Sequence, residues 1–375
     1  MLAQALLTLA LVVSPLSQAQ SVIGKAPGFA TGTTGGAGGK TVTPTTTGEL
    51  VKYLTSNDAL TIVLTKTFDF TGTEGTVTET GCAPWGTGSG CQLAINANNW
   101  CGDYKAGAGK VQVTYDKAGT SGIRVKSNKS IIGTGTKGVI KGKGLDISNG
   151  VSNVIIQNVQ ITNLNPKYVW GGDAITLNGA SKVWIDHVKI NLIGRMMIVA
   201  GYKTNKGVAI TNSEFDGKST YSTSCDGQHY WGLYLTGEND LITFKGNYIH
   251  HTSGRSPKID KGTVLHAANN YWSNNSGHAF EGDSSTYVLI EGSTFDNVAA
   301  CEQGFNGNVF APTAVAGACS STMGRTCPKN SYKSSGKQLK DRNGQASLNK
   351  LKGLTLVAAD ADASKVPSTA GVGKL

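Results

Sequence analysis

The chain has 375 residues, of which 50 are glycine and only 15% are charged. The glycine share is well above the usual ~7%, but no Gly-x-y period is present, which excludes collagen. A hydrophobic fraction of 39% excludes a disordered chain, so the composition favours a β-rich extracellular fold with many tight turns. The 34 Lys and Arg residues exceed the 24 Asp and Glu residues, and the net charge of +10 points to an anionic partner: nucleic acid, an anionic membrane or an acidic polysaccharide.

The first element along the chain is a predicted secretory signal peptide at residues 1–19. Residues 2–13 are mostly apolar and carry no acidic side chain, and Ser17-Gln18-Ala19 follows as a cleavage site of the small-x-small type. A buried first helix is the alternative. No later stretch of ~18 apolar residues is present to span a membrane. We therefore expect a secreted protein whose anionic partner is a polysaccharide, with no nucleic-acid or membrane partner.

The next element is a short amphipathic helix within residues 43–54, around Thr47-Gly-Glu-Leu-Val-Lys-Tyr-Leu54. Because the open end of a repeat domain needs a cap, this helix is predicted to cover the amino end of the repeat described below.

Seven cysteines follow, and an oxidising compartment predicts that most of them form disulfides. They are Cys82, Cys91, Cys101, Cys225, Cys301, Cys319 and Cys327. A zinc site is disfavoured because no Cys-x2-Cys pair occurs and the six histidines are scattered. The odd count leaves one thiol over, and the sequence alone does not choose the pairing. Asn128 and Asn274 begin N-glycosylation sequons, and both are interpreted as surface turns.

A degenerate repeat occupies the middle of the chain. Its units share apolar residues at the first and third positions, which is the periodicity of a β-strand. The units begin at Val154, Val183, Val208, Ile242, Leu265 and Val288. Their starts lie 23 to 34 residues apart, within the range of repeat architectures. The longer gaps indicate loops inserted between repeats, and loops commonly carry function.

The fifth residue of each unit is Asn158, His187, Asn212, Gly246, Asn269 or Gly292. Asn and Gly tolerate a left-handed backbone, so each unit is expected to bend sharply there and begin a second short strand. Such units stack most naturally as a coil. We predict an all-β, right-handed parallel β-helix with long loops that form a cleft, and with the corner Asn side chains stacked in a ladder. The alternative, an antiparallel sandwich, needs turn signals every ~8–12 residues, which are scarce here.

Residues 20–375 are therefore expected to form one domain whose length reflects many repeats. The segment after residue 328 is polar and rich in Lys and Ser, and it is predicted to pack along the coil.

Several motifs in this sequence resemble those of a known family. They are Trp170-Gly-Gly-Asp173, Val183-Trp-Ile-Asp-His187, Gly254-Arg-Ser-Pro-Lys258, Cys82-Ala-Pro-Trp-Gly and Cys225-Asp-Gly-Gln-His-Tyr-Trp231. Together they resemble the fungal pectin lyases, which are β-helical polysaccharide lyases, from about Thr45 to Cys327. The resemblance implies a carbon–oxygen lyase that cleaves methyl-esterified pectin internally by β-elimination and leaves 4,5-unsaturated ends.

Such a lyase must remove the C5 proton and place positive charge or hydrogen-bond donors near the carbonyl oxygen of the developing enolate. By resemblance, Arg255 is the catalytic arginine, and Lys258 and Arg195 supply positive charge around it. Asp173 is expected to hold Arg195 through a charge-assisted hydrogen bond. Arginine is an awkward base because its pKa in water is above ~12. Either neighbouring cations favour its neutral form, or it stabilises the enolate while another group takes the proton.

Arg195 also separates two subclasses of lyase. A calcium-dependent pectate lyase needs clustered oxygen ligands, but near Asp173 the segment Ile193–Ile198 supplies no further acid. We predict a calcium-independent enzyme with no metal and no cofactor. A calcium-dependent pectate lyase and a non-catalytic β-helical carbohydrate-binding protein remain as alternatives. The family usually has a polar pair after this arginine, and Met196-Met197 departs from that pattern.

Seven aromatic residues match positions that line the cleft of the family, where flat rings stack on sugar faces and ester methyl groups. They are Trp85, Trp100, Tyr104, Trp170, Tyr230, Trp231 and Tyr234. Trp184, Asp186 and His187 are interpreted as structural residues of a repeat strand and its corner. The resemblance also implies the disulfides Cys82–Cys101, Cys91–Cys225 and Cys319–Cys327, with Cys301 left as a buried thiol. The expected partner is methyl-esterified pectin, bound by a monomer.

Overall fold

The computed structural model describes residues 21–314 and 317–375. The predicted signal peptide, residues 1–19, lies outside the described residues. Within the described ranges, no helix is both long and apolar enough to cross a membrane.

Most of the regular structure consists of short strands. In chain order they are β1 (Lys40–Val42), β2 (Leu60–Leu64), β3 (Thr67–Asp69), β4 (Thr76–Ala83), β5 (Leu93–Ala94), β6 (Gly109–Asp116), β7 (Ile123–Arg124), β8 (Lys129–Gly133), β9 (Val139–Lys141), β10 (Leu145–Ser148), β11 (Ser152–Gln157), β12 (Gln160–Leu164), β13 (Tyr168–Val169), β14 (Ile175–Asn178), β15 (Ser181–Asp186), β16 (Lys189–Ile193), β17 (Ile198–Tyr202), β18 (Lys206–Thr211), β19 (Glu214–Asp216), β20 (Leu233–Gly237), β21 (Leu241–Lys245), β22 (Tyr248–His250), β23 (Lys258–Ile259), β24 (Val264–Ala268), β25 (Tyr271–Gly282), β26 (Tyr287–Glu291), β27 (Thr294–Phe305), β28 (Asn308–Phe310) and β29 (Ser331–Lys333).

The helices are short: α1 (Thr47–Thr55), α2 (Trp100–Tyr104), α3 (Gly317–Met323), α4 (Gly344–Leu351) and α5 (Val366–Thr369). Helix α1 is the predicted amino-terminal cap. The Thr46 hydroxyl accepts a hydrogen bond from the Glu49 N–H (3.1 Å), while the Glu49 carboxylate accepts one from the Thr45 N–H (2.7 Å). Two donors at the helix start are thereby satisfied. Leu50 and Leu54 are buried in the main core cluster, so the helix covers the first turn of the coil.

The strands of the coil form three sheets. The first sheet has the order β1-β2-β8-β11-β15-β18-β21-β24-β26-β28, the second β3-β9-β12-β16-β19-β22-β25, and the third β7-β10-β14-β17-β20-β23-β25. All pairings along these three paths are parallel, and the long strand β25 takes part in both the second and the third sheet. The predicted parallel β-helix is confirmed. A separate small sheet, β13-β5-β4-β6, includes the antiparallel pairs β4–β5 and β4–β6.

The repeat positions predicted to be apolar form two columns inside the first sheet. The first positions pair in register from Val154 through Val183, Val208, Ile242 and Leu265 to Val288. The third positions, from Ile156 to Ile290, pair in the same way, and members of both columns are fully buried. Each aliphatic side chain of this size contributes about 1.5–3 kcal/mol when buried. Stacking of like residues on successive turns is therefore a main source of stability.

The corners also follow the sequence pattern. All six corner residues have left-handed φ values, from 47° at Asn212 to 69° at Gly246. The predicted amide ladder, however, lies one residue later than expected. There, Asn247 donates to Asn270, whose backbone N–H donates to Ser293, whose backbone N–H donates to Asn330. The residue after each bend is buried, so a polar side chain at this position must find hydrogen-bond partners on a neighbouring turn.

The corner Asn side chains instead bind the carboxyl-terminal segment. Asn269 accepts a hydrogen bond from the Asp360 N–H (2.8 Å), and Asn158 accepts one from the Gly373 N–H (2.7 Å). Between them, the backbone carbonyl of Asn212 accepts a hydrogen bond from the Gly371 N–H (2.8 Å). The last residues of the chain therefore run across successive corners of the coil.

Candidate active site

The residues singled out from the sequence lie in loops that lead into successive strands of the third sheet. Asp173 precedes β14, Arg195 precedes β17, Trp231 precedes β20, and Arg255 precedes β23. These strands are hydrogen-bonded neighbours in the same order. The coil therefore stacks four loops that are distant in sequence into one surface.

Arg195 and Asp173 form a two-pronged ion pair. The Arg195 Nε donates to Asp173 Oδ1 at 2.8 Å, and Nη2 donates to Oδ2 at 2.6 Å. The Met196 N–H also donates to Asp173 Oδ1 at 2.9 Å. Burial alone would lower the pKa of Arg195, but the hydrogen bonds and charge of Asp173 outweigh it and raise the pKa. The guanidinium, 4.2 Å from the ring centre of Trp170, is thus a fixed positive charge.

Arg255 has a different environment. Its guanidinium carbon lies 5.3 Å from the ring centres of Tyr230 and Trp231, and 5.5 Å from that of Tyr234. Its Nε is buried without a hydrogen-bond partner in the described part of the chain, and it lies 3.7 Å from Glu281 Oε1. That separation is too long for a hydrogen bond. The Arg255 Nε is therefore an unsatisfied donor inside the protein, while the side chain as a whole is 23% exposed.

Glu281 is a site residue that the sequence-based prediction missed. Its carboxylate accepts a hydrogen bond from Lys258 Nζ (2.7 Å) and contacts His278 Nε2 (2.8 Å). Burial alone would raise the pKa of Glu281, but the hydrogen bonds from His278 and Lys258, with the charge of Arg255, lower it to about 2. One signal could have found it. Glu281 follows Lys258, and His278 follows Arg255, by 23 residues, which is one turn of the repeat.

The cations of the cluster are paired with carboxylates. Besides Glu281, Lys258 Nζ lies 3.5 Å from Asp260 Oδ2. Burial would lower the pKa of Lys258, but Glu281 and Asp260 outweigh it and raise the pKa. Arg195 is bound to Asp173 as described above. Carboxylates therefore largely offset the positive charge that was expected around Arg255. The expectation missed this because the sequence did not reveal Glu281.

The aromatic residues form a continuous path of ring contacts between the two arginines. Consecutive ring centres lie 5.0 to 6.4 Å apart for the pairs Tyr230–Trp231, Trp231–Trp85, Trp85–Trp100, Trp100–Trp170 and Trp100–Tyr104. Tyr104 is 73% exposed at the outer end of this set. Tyr234, the seventh, lies on β20 against Arg255. The rings offer flat apolar surfaces of the kind that stack on sugars.

Two disulfides hold the loops that carry these rings. Cys82–Cys101 joins the Trp85 and Trp100 loops, and Cys91–Cys225 ties them to the loop before Trp231. With Cys319–Cys327, these are the pairs that the resemblance implies. Cys301 is buried as a free thiol, and burial raises its pKa to about 12.

Two further polar residues, also not predicted, fix the backbone of the site. Gln92 donates to the Gly194 carbonyl (2.7 Å) and accepts from the Trp231 indole N–H (3.0 Å). His229 is buried, and its Nε2 lies 2.8 Å from the Arg195 carbonyl and 3.1 Å from the Trp231 carbonyl. Because carbonyls only accept, Nε2 carries the proton. Burial lowers the pKa of His229 to about 4, so the ring is neutral at ordinary pH.

The residues interpreted as structural lie elsewhere. Asp186, on the first sheet, accepts hydrogen bonds from Thr211 (2.6 Å) and Gln157 (2.9 Å) and contacts His187 (2.8 Å). Trp184 is buried against the amino-terminal segment and donates to Thr211 (2.9 Å). Met196 and Met197 are both buried. Asn128 lies in an exposed bend before β8, as predicted, but the prediction of a turn at Asn274 was wrong, because this exposed residue lies within β25. Both residues have a left-handed φ.

Solved structures with this architecture include bacterial pectate lyases. One from Paenibacillus sp. 0602 matches with a TM-score of 0.61 at 16% identity, covering 94% of this chain and 97% of that chain. One from Bacillus sp. N165, in complex with trigalacturonate, matches with a TM-score of 0.58 at 20% identity, covering 92% and 98%. Identity this low shows the fold alone, a parallel β-helix shared with these two pectate lyases.

The sequence comparisons are closer. The pectate lyase family model matches residues 87–375. Pectin lyase B of Emericella nidulans is 55% identical over 371 residues, with 97% of each chain covered. Pectin lyase 2 of Aspergillus oryzae is 53% identical over 375 residues, with 99% of each chain covered. The chain belongs to the pectate lyase family, and the resemblance to the fungal pectin lyases is confirmed.

Proposed function

We propose that the protein is a secreted pectin lyase that cleaves methyl-esterified α-1,4-galacturonan internally, by β-elimination and without calcium. The names of the relatives support the substrate. The observation that carries the proposal is the unlike state of the two arginines. Arg195 is bound to Asp173 through two guanidinium nitrogens. The Arg255 guanidinium instead lies among three aromatic rings in a side chain that is 23% exposed, and its buried Nε has no hydrogen-bond partner in the described chain.

In the proposed reaction, solvent water or hydroxide acts as the base that takes the C5 proton of a galacturonate ester, and the electron pair of the broken C5–H bond forms an enolate on the ester group. The enolate then collapses to a C4–C5 double bond, the C4–O glycosidic bond breaks, and the departing oxygen takes up a proton. No water is added. Arg255 is the catalytic residue at the reacting carbonyl, where a fixed donor contributes most as negative charge develops. The ionised Glu281 carboxylate lies 3.7 Å from Arg255 Nε, and this ion pair supports a role for Arg255 as a cationic donor in enolate stabilisation.

The state of Asp173 supports calcium independence. Its Oδ1 accepts hydrogen bonds from Arg195 Nε and the Met196 N–H, and its Oδ2 accepts one from Arg195 Nη2. Calcium needs six to eight oxygen ligands, usually with several carboxylates. With both oxygens of Asp173 occupied, a neutral ester suits the site better than a carboxylate bridged by a metal ion.

The test uses highly esterified pectin in the presence of a chelator and follows the ultraviolet absorbance of the unsaturated ends. We expect absorbance to rise at the same rate with and without chelator, and viscosity to fall early, as internal cleavage requires. Absence of product under every condition would refute the lyase proposal. Activity that depends on added calcium and on unesterified polygalacturonate would instead support a pectate lyase.

Secretion as a monomer is part of the same proposal. The three disulfides support an oxidising compartment. Amino-terminal sequencing of protein from culture medium should begin after Ala19, and sedimentation should give the mass of one chain.

A further inference from the structure

Three potential metal ligands meet on the second sheet, rather than on the third sheet where the candidate active site lies. They are Asp216, His250 and His251, and one ligand atom of each lies within 4.8 Å of the others. Asp216 ends β19 and His250 ends β22, and the two residues are direct neighbours in the parallel register. His251 is the next residue along the chain. The group thus spans two adjacent turns of the coil.

The backbone at His251 explains why two consecutive histidines face each other. Successive side chains of an extended strand point to opposite faces. His251 has a left-handed φ of 55°, which breaks this alternation at the end of β22. As a result the two Nδ1 atoms lie 2.8 Å apart, with the ring planes at 84°.

The hydrogen bonds around His250 determine which nitrogen is free. Its Nε2 lies 3.2 Å from the Glu214 carboxylate, which also accepts a hydrogen bond from Lys189 Nζ (2.8 Å). Because Nε2 faces this carboxylate, Nδ1 is the His250 nitrogen that faces the other two residues, 2.8 Å from His251 Nδ1 and 3.7 Å from Asp216 Oδ1.

The spacing of these three atoms is close to that of ligands around one metal ion. Two nitrogen ligands at ~2.0–2.1 Å from a tetrahedral zinc ion are about 3.3 Å apart. The Nδ1 atoms are 2.8 Å apart, and His250 Nδ1 lies 3.7 Å from Asp216 Oδ1. Both distances lie within about 0.5 Å of the required value. Small rotations of the two rings are therefore enough to bring these atoms to the spacing of zinc ligands.

The surroundings orient each ligand. Asp216 Oδ1 accepts a hydrogen bond from the Lys218 N–H (3.1 Å), while the other oxygen faces Lys189 Nζ at 3.6 Å. The cation and a metal ion would therefore contact different oxygens. The His250 ring stacks on Tyr248 with 4.3 Å between ring centres. Its Nε2 contact with Glu214 reproduces the carboxylate–histidine–metal arrangement that orients metal-ligating histidines in general.

We propose that Asp216, His250 and His251 bind one divalent first-row transition-metal ion, with Glu214 as the outer carboxylate that orients His250. Two imidazoles and one carboxylate suit zinc and its neighbours better than calcium or magnesium. Three protein ligands leave a fourth position for water. The ion joins two turns of the coil, so its binding stabilises the fold and is independent of the proposed lyase reaction.

The test is calorimetric titration of the intact, disulfide-bonded protein with zinc alone. We expect one zinc ion per chain and a higher unfolding temperature in its presence. His251→Asn removes a ligand with a residue that tolerates left-handed φ, and it should weaken binding at least ~100-fold; Glu214→Gln should weaken it ~10-fold. His187→Asn is the matched control because His187 also has a left-handed φ (48°), and it should bind zinc like the unmodified chain.

Several results would overturn the site. These are no zinc uptake by the unmodified protein, unchanged affinity in His251→Asn, or equal losses in His251→Asn and His187→Asn. Anomalous diffraction from a zinc-soaked crystal provides a second measurement that does not depend on a variant, and a peak away from these three side chains would also contradict the proposal.

Discussion

The two arginines of the candidate active site show how one fold prepares the same side chain for two tasks. Arg195 has its Nε and Nη2 bound to Asp173, and its backbone carbonyl is held by His229. Arg255 has aromatic rings around it, and its Nε has no hydrogen-bond partner in the described chain. The comparison teaches that charge alone does not identify the reactive group. Arg195 is a fixed positive charge, while the Arg255 Nε is a buried donor whose hydrogen bond is not made within the described chain.

The largest expected effect is the loss of Arg255. Arg255→Ala should reduce kcat on esterified pectin by ~10²–10³ or more, because an enolate-stabilising donor is lost. Lys337→Ala is the control, since Lys337 is an exposed cation that also has a left-handed φ. Initial rates of unsaturated product measure the change, and circular dichroism checks the fold. Near-normal turnover by Arg255→Ala would remove this residue from the mechanism.

Asp173→Asn tests the Arg195 side of the comparison, because it removes the charged partner of that arginine. It leaves the Arg195 guanidinium without its carboxylate, which for a mostly buried pair costs about 3 kcal/mol of unfolding free energy. We also expect activity to fall roughly 10–100-fold through misplacement of the site. Urea unfolding measures the stability. Asp69→Asn is the matched control, because the Asp69–Lys141 pair is more exposed and should cost at most ~1 kcal/mol. Equal losses in both variants would show that Asp173 has no special role.

Glu281→Gln tests the carboxylate near Arg255 through the pH dependence of stability. The pKa of Glu281 is lowered from 4.5 to about 2 in the folded state, so its stabilisation is complete above pH 4.5 and is lost as pH falls towards 2. The linkage corresponds to about 3 kcal/mol at neutral pH. The stability gap between the two proteins should therefore narrow on acidification, as measured by urea unfolding at several pH values. A gap independent of pH would contradict this account.

The smallest effect is expected in the aromatic path. Trp85→Ala removes the ring that links Trp231 to Trp100, and it should raise KM several-fold with little change in kcat, because stacking contributes to ground and transition states alike. Steady-state kinetics separates the two constants. A fall in kcat with unchanged KM would mean that Trp85 shapes the catalytic geometry rather than the binding surface.

The fold was largely predictable because repetition makes the signal strong. Apolar residues at two positions of each unit and Asn, Gly or His at the fifth were enough to predict the strands, the corners and the coil. The ladder was placed one residue too early. Both Asn212 and Ser213 fit a polar ladder in the sequence, and only the direction in which each side chain leaves the bend decides which one is buried.

The candidate site was predictable only in part. Motifs identified Arg255, Lys258, Arg195 and Asp173, but not Glu281, His278, Gln92 or His229. Glu281 reaches Lys258 through the register of β23 and β25, and His229 reaches Arg195 through backbone carbonyls. Such contacts depend on which turns of the coil are adjacent, and a sequence motif contains no information about that adjacency.

The sequence by itself therefore determined the local features: strand periodicity, left-handed corners and the residue types suited to β-elimination. These depend on each residue's own backbone preferences and chemistry. Only the tertiary structure decided which charges are paired, that the buried Arg255 Nε has no hydrogen-bond partner in the described chain, and that Asp216 meets His250 and His251. The physical reason is that electrostatic environment is a property of neighbours in space, and the coil makes neighbours of residues one or more turns apart.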